Sequence, residues 1–361
     1  MIPKKIRVCY YIFLMSKKIK NTGKHSALLK LTIPDGTKSY IELKQQVAKA
    51  GIFDREYTYY AVLSIFVFSG FLLSTFKILT TPVNAWLFLW AILFAFFTVQ
   101  IAGILHDAGH RAVFKSTKWN DVLGTICGAF IADAFNFWKK KHNMHHAHPN
   151  QEGADPDVEL PLLSFTKEDY RAKTGLSKYL RKYQAFLYYP MGIFVVFSPR
   201  FGSIKYLIKE FKPKMWWEVA IFSASFFAWF VMPFFIFDLQ KALLLFVIVN
   251  MVLGFYLLNV FAPNHKGMPE IEEGVKISFM EQQIMTSRNI RGHWLTDFMY
   301  MGLNYQIEHH LFPSTPRNKL RYITPFVLDI CKRARLEYTE VSVIKTNQII
   351  LSELHQIAKT S

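Results

Sequence analysis

Four stretches of this chain contain no charged residue and approach or exceed the roughly 20 helical residues that cross a hydrocarbon layer about 30 Å thick. They are Tyr57–Phe76, Ile78–Leu105, Val219–Phe237 and Ala242–Asn264. Only Lys77 separates the first pair, and Asp238–Lys241 the second. The pattern predicts two helical hairpins, with spans at about 57–76, 83–105, 216–237 and 242–264. Tyr57, Tyr59, Tyr60, Trp216 and Trp217 stand near span ends, as interfacial aromatic residues do. Two weaker runs, Val122–Phe137 with Asp133 inside it and Tyr183–Pro199 with Pro190 inside it, are expected to lie along the interface. Val8–Met15 is too short to cross and lacks a small-residue cleavage site. It reads as a disordered or interfacial tail, with Met15 an alternative start. The expected organisation is a tail over 1–56 with an amphipathic helix, a membrane domain over 57–335, and a C-terminal tail over 336–361. No internal repeat interrupts it.

Composition adds a direction. Of 43 basic residues, all but Lys77 and Lys241 fall outside the two hairpins, so they lie on one side of a four-span arrangement. The positive-inside rule places both termini and the connection between the hairpins in the cytoplasm. The net charge of +17 is therefore assigned to anionic lipid headgroups and an acidic protein partner rather than to nucleic acid. Cys9, Cys127 and Cys331 have no CxxC spacing, which argues against disulfides and thiolate metal sites.

Most of the twelve histidines gather in three clusters: His106 and His110, then His142, His145 and His146, then His309 and His310 preceded by Gln306. Spacings of i, i+3 and i, i+4 bring side chains together on a helix. An even number of crossings separates the clusters, so all can meet on one face. Neutral imidazole binds iron, zinc and copper well, and these clusters have enough donors for two ions. His265 follows the fourth span and is expected to join them. His148 and His293 are weaker candidates, while His25 and His355 read as surface residues. Asp107, Asn143, Asp155, Asp157 and Glu308 are expected to hold the imidazoles by hydrogen bonds rather than to bind metal. Lys139–Lys141 reads as cytoplasmic flank charge or a contact for the lipid surface. Phe135, Phe137 and Trp138 are candidates for lining an apolar tunnel. The expected fold class is an all-α integral membrane protein, with four transmembrane helices and a cytoplasmic helical cap holding a His-rich two-metal site.

The HxxxH, HxxHH and QxxHH clusters, with Pro149-Asn150, Asp155-Pro156-Asp157 and Gly302–Pro313 around them, resemble the integral-membrane fatty acid desaturases. The resemblance covers about residues 57–335. Gln306 in place of a histidine resembles the front-end and linoleoyl-CoA desaturase-like branch. The resemblance implies two iron ions, molecular oxygen, a fatty acyl substrate and a cis double bond as product. It carries the ligand role to His106, His110, His142, His145, His146, His309 and His310, with His265 as a further ligand and Gln306 as a weak or water-mediated one. No His-Pro-Gly-Gly haem motif occurs, and 56 residues before the first span are too few for a fused cytochrome b5. No bound haem or flavin is expected. Electrons are expected from a separate carrier, ferredoxin or cytochrome b5 with its reductase.

Two other readings share the metal ligands. A related di-iron membrane hydroxylase acting on acyl chains or alkanes would begin with the same hydrogen abstraction. A non-enzymatic metal transporter would place its ligands along a path within the spans; here they gather beyond span ends.

Overall fold

A computed structural model describes residues 36–158 and 163–360. The tail around Val8–Met15, with Cys9 and His25, lies outside the described residues.

The amphipathic helix expected before the first span is α1, Gly36–Lys49, whose Leu43 and Val47 are buried. The first hairpin is α2, Tyr57–Thr80, and α3, Ala85–Gly109. Asn84 starts α3, its side chain accepting from the N–H groups of Trp86 and Leu87, an N-cap that satisfies free donors of the first turn. Outward-facing side chains of α2 such as Val62, Ile65, Phe66 and Phe76 are all more than half exposed. A continuous apolar surface of this kind is stable against lipid, not water.

The run Val122–Phe137 is split. Helix α4, Thr117–Ile131, ends at Ala132 in the left-handed conformation, and α5 begins at Phe135 and runs to Ala147. Short helical pieces then fill 167–209. The second hairpin follows as α6, Trp216–Phe230, α7, Pro233–Ile236, and α8, Leu239–His265.

The third expected span is therefore two helices rather than one. Pro233 has no N–H to continue the ladder, so it stands at the start of a new helix instead of inside α6. Among the described residues, and by length and composition alone, the continuous run of helical pieces Gly175–Lys209 is the fourth segment able to cross a membrane, alongside α2, α3 and α8. Its middle packs along α8, where Ile193 lies against Gly254 and Phe197 against Phe246, and its later part meets the histidine end. Ser203 donates to Asp133 Oδ1 at 2.7 Å and accepts from the N–H of Ala134, at the entry to α5. At the other end of the bundle the two hairpin turns meet, where Lys241 Nζ donates to the carbonyl of Thr81 at 2.8 Å. Helix α6 starts at the histidine end, where Glu218 accepts from the backbone and side chain of Asn136 in the first turn of α5.

The cap over the histidine end comprises α9, Phe279–Met285, α10, Trp294–Met299, α11, Gln306–Leu311, α12, Thr324–Ala334, and α13, Val343–Thr360. A parallel pair of two-residue strands, Asn289–Ile290 and Glu340–Val341, ties it together. Its core joins Leu43 and Val47 to Met280, Ile284, Ile307, Leu311 and Val327. Cys127 and Cys331 are buried free thiols.

Candidate metal centre

Helix α3 continues past the expected end of its span, so His106 sits in its last turn and His110 just beyond, its N–H bonded to the carbonyl of His106. Helix α5 presents His142, His145 and His146 in its final turns, α8 ends on His265, and α11 carries Gln306, His309 and His310. These four elements bring eight imidazoles into two groups. His106, His110, His142, His146 and His309 form one, and His145, His265 and His310 form the other.

The triplets do not each converge on one point, as their spacing alone suggested. At 3.6 residues per turn, neighbouring positions differ by about 100°. His146 therefore shares a group with His142, while His145 turns to the other; His309 and His310 divide in the same way. The two groups touch where the rings of His146 and His310 stack at 4.1 Å.

The hydrogen bonds around the rings test whether these donors fit metal. His145 Nδ1 lies 2.9 Å from Asp155 Oδ2, and His265 Nδ1 lies 3.1 Å from the carbonyl of Thr286. Both partners only accept, so both Nδ1 atoms carry the proton and both Nε2 atoms present lone pairs. Yet these Nε2 atoms lie 3.3 Å apart. Two lone pairs facing at that distance repel unless a proton or a metal ion lies between them. His310 repeats the arrangement, with Nδ1 2.8 Å from Gln283 Oε1. The buried Nε2 atoms of His106, His110 and His310 have no hydrogen-bond partner. In the larger group His146 Nε2 stands 3.1 Å from both His142 Nε2 and His309 Nε2. Two nitrogens bound to one first-row ion at about 2.1 Å stand roughly 3.0–3.4 Å apart. The donor set fits two metal ions.

Electrostatics agree. Burial, reinforced by the neighbouring imidazoles, holds His142, His146, His309 and His310 well below the usual histidine range. They stay neutral, as ligands must. Asp155 is lowered: burial pushes it up, but the hydrogen bond and charge of His145 outweigh this.

Several expected roles are revised. Asn143 is exposed on the outer face of α5 and holds no imidazole. Glu308 is buried but points into the cap, accepting from Asn289, Tyr338 and Thr324. As the residue before His309 it faces another side of α11. Asp157 pairs with Lys141 at 2.6 Å and stands 3.9 Å from His145 Nδ1. The Lys139–Lys141 run is taken up by Asp121, Glu210 and Asp157, one partner each. Phe135 and Phe137 pack against Gly124 and Gly202. Trp138 does reach the site, stacking on His142 with ring centroids 4.5 Å apart. His148 bonds Gln151, and His293 caps α10. Neither joins the groups.

Gln306 aims Nε2 at His265 Nε2, 2.9 Å away, while its Oε1 accepts from Asn264 Nδ2. That Asn264 nitrogen also donates to the carbonyls of Val260 and Leu303, which fixes its orientation. Gln306 is thus held with its oxygen turned from the metal-facing nitrogens.

Residue pattern alone did not point to Gln283, the Thr286 carbonyl or two buried arginines. Arg288 donates to the carbonyls of Pro263 and Lys266 at the end of α8. Arg317 pairs with Asp107.

Helices long and apolar enough to cross a membrane, with two groups of imidazoles at one end that could hold metal, define an integral membrane protein of this class. Residues 84–342 match the fatty acid desaturase family, and the chain belongs to it; it is a membrane oxidoreductase of that family. It is 28% identical over 327 residues to the Delta(8)-fatty-acid desaturase of Euglena gracilis, covering 85% of this chain and 75% of that protein. It is 32% identical over 279 residues to the acyl-lipid (9-3)-desaturase of Physcomitrium patens, covering 73% of this chain and 51% of that one. A third relative, the Delta(6)-fatty-acid desaturase of Caenorhabditis elegans, is 29% identical over 321 residues, covering 83% and 70%. The chain thus spans from about half to three quarters of these relatives' lengths.

Proposed function

We propose that this desaturase introduces a cis double bond into a fatty acyl chain using two iron ions and molecular oxygen, and that it is of the front-end type. The observation that carries the reading is the facing of His145 Nε2 and His265 Nε2, whose protons are both committed elsewhere. His106, His110, His142, His146 and His309 would hold one ion, and His145, His265 and His310 the other. Iron with oxygen supplies the oxidising power to remove hydrogens from unactivated methylenes, which no side chain has. The protein's residues orient and protect. Asp155, Thr286 and Gln283 hold the Nδ1 protons of His145, His265 and His310, so the lone pairs point inward. Burial of seven of the eight rings and of the cap core shields the groups from bulk water.

Both termini and the metal centre face the cytoplasm in this reading. His145 and His265 meet, so the chain between them crosses an even number of times. The contact of Lys241 with Thr81 supports α6–α7 and α8 as the crossing pair, so that 175–209, whose middle packs on α8, returns to the side it left. Electrons come from a separate acidic carrier, ferredoxin or cytochrome b5 with its reductase, docking on the basic face.

The test is expression in a host of known lipid content, supplied with either electron donor and with 18- and 20-carbon polyunsaturated substrates. A new double bond on the carboxyl side of an existing one, located by gas chromatography–mass spectrometry and absent in His309→Ala, is the expected result. A hydroxylated product would replace this reading with the hydroxylase one, and an unchanged lipid profile would overturn it.

A further inference from the structure

The first and third histidine clusters are joined by a buried ionic contact that neither cluster's motif contains. Arg317, Asp107 and Tyr60 are each 5% exposed or less. Arg317 Nε donates to Asp107 Oδ2, and Tyr60 Oη donates to the same oxygen at 2.7 Å. The backbone N–H of Arg317 in turn donates to Tyr60 Oη at 3.3 Å. The other carboxylate oxygen, Oδ1, lies 3.3 Å from His106 Nδ1. His106 Nε2 faces the five-histidine group without a partner, and its ring stands 4.6 Å from that of His309.

Three consequences follow from this connectivity. Asp107 accepts, so the proton of His106 sits on Nδ1 and the lone pair on Nε2. Asp107 can hold that position only while its second oxygen is fixed, which Arg317 and Tyr60 do together. Finally, Arg317 follows His309 and His310 in the same segment of chain. A displacement of that segment therefore moves the grip on His106 as well as two ligands. Leu303 and Met301 close the core beside α3, and a Cβ at Gly103 would collide with Met301 and press on the Arg317 guanidinium, so the arginine has little room to re-seat.

We propose that Arg317 is a positioning residue of the five-histidine site, acting through Asp107 on His106. The proposal rests on the metal reading given above. Its test uses the full chain in detergent, stripped of metal and titrated with Co2+, whose visible absorption reports coordination. His265→Ala, which removes a ligand only from the three-histidine group, assigns the two sets of bands. In Arg317→Gln, the affinity of the five-histidine site should fall about 10–100-fold, the range for loss of a group that orients a ligand, and its bands should shift. The three-histidine bands should stay, and Arg317→Lys should recover most of the loss. Wild-type titration curves in Arg317→Gln would overturn the proposal. So would equal weakening of both sites together with a lower melting temperature that Lys does not rescue, since that marks a merely structural role. Tyr60→Phe keeps the ion pair and removes one donor. If Arg317→Gln does not fold, a Tyr60→Phe chain with five-histidine bands identical to wild type overturns the proposal, and a smaller shift of those bands supports it. A wild-type chain that takes up no Co2+ would overturn the metal reading itself, a separate result.

Discussion

Lys241 Nζ reaches across from the turn of the second hairpin to donate to the carbonyl of Thr81, where α2 ends in the first. One ammonium thus fastens both turns at the end of the bundle away from the histidines. With the basic residues gathered at the other end, this predicts opposite sidedness for the turns and the cap. In a Cys9→Ser background, with the buried Cys127 and Cys331 left in place, Val83→Cys and Leu239→Cys should react with an impermeant thiol reagent from the non-cytoplasmic side. Lys345→Cys, exposed on α13, should react only after the membrane is opened. Labelling of all three from one side would remove the topology. Lys241→Met should also lower stability by about 1–3 kcal/mol, because the Thr81 carbonyl is left without its donor.

Gln306 separates two accounts of the smaller metal group. Its oxygen is held by Asn264 and its nitrogen faces His265. If its amide only hydrogen-bonds the His265 nitrogen that would take the ion, Gln306→His adds a fourth imidazole and should tighten Co2+ binding at the three-histidine site. Gln306→Leu frees the His265 lone pair and should likewise tighten that site while leaving the five-histidine site unchanged. Loss of the ion altogether in Gln306→Leu would show that the side chain is itself a ligand.

Gly109 lies under the indole of Trp138, and a Cβ there would collide with the ring. Trp138 stacks on His142, so the space cannot open without moving a ligand. Gly109→Ala is expected to cost about 1–3 kcal/mol and to reduce bound metal per chain. Equal metal content with unchanged melting would refute the coupling of this helix contact to the site.

Asp133, at the junction of α4 and α5, is pushed up by burial to about 6, against the lowering hydrogen bond from Ser203 and the charge of Arg200. Its unfolded value is near 3.9. Between those values the native state binds a proton that the unfolded state does not, so stability falls as pH rises from about 4 to 6 and then levels. Asp133→Asn keeps an oxygen for Ser203 and removes the titration. Wild type and variant should agree near pH 4, and the variant should be more stable at pH 7 by up to about 3 kcal/mol. Unfolding curves in detergent at both pH values check the crossing; parallel curves would contradict it.

Much of the molecule was legible in sequence because bilayer and helix impose simple rules. Unbroken apolar runs around Phe71, Phe94 and Leu253 can be stable only in hydrocarbon or a core, so α2, α3 and α8 were expected close to where they lie. Repeated i, i+3 and i, i+4 histidines beside those runs pointed to seven of the eight imidazoles of the two groups, and the eighth, His265, came from its place at the end of the fourth span. Pro233 was visible too, but whether it ends a helix or only bends it depends on what replaces the lost bond.

The sequence by itself determined which residues suit water, lipid and metal, since those preferences follow from each side chain's own hydration and donor chemistry. Only the tertiary structure decided how the ligands divide. A 100° step sends His145 and His146 to different groups, but which group each joins depends on where α8 and α11 arrive. The same holds for their supports. Asp155 sits ten residues from His145, while Thr286, Gln283 and Arg317 come from segments far along the chain. A buried carbonyl or guanidinium takes its partner from whatever packing brings within 3 Å, and no local pattern encodes that.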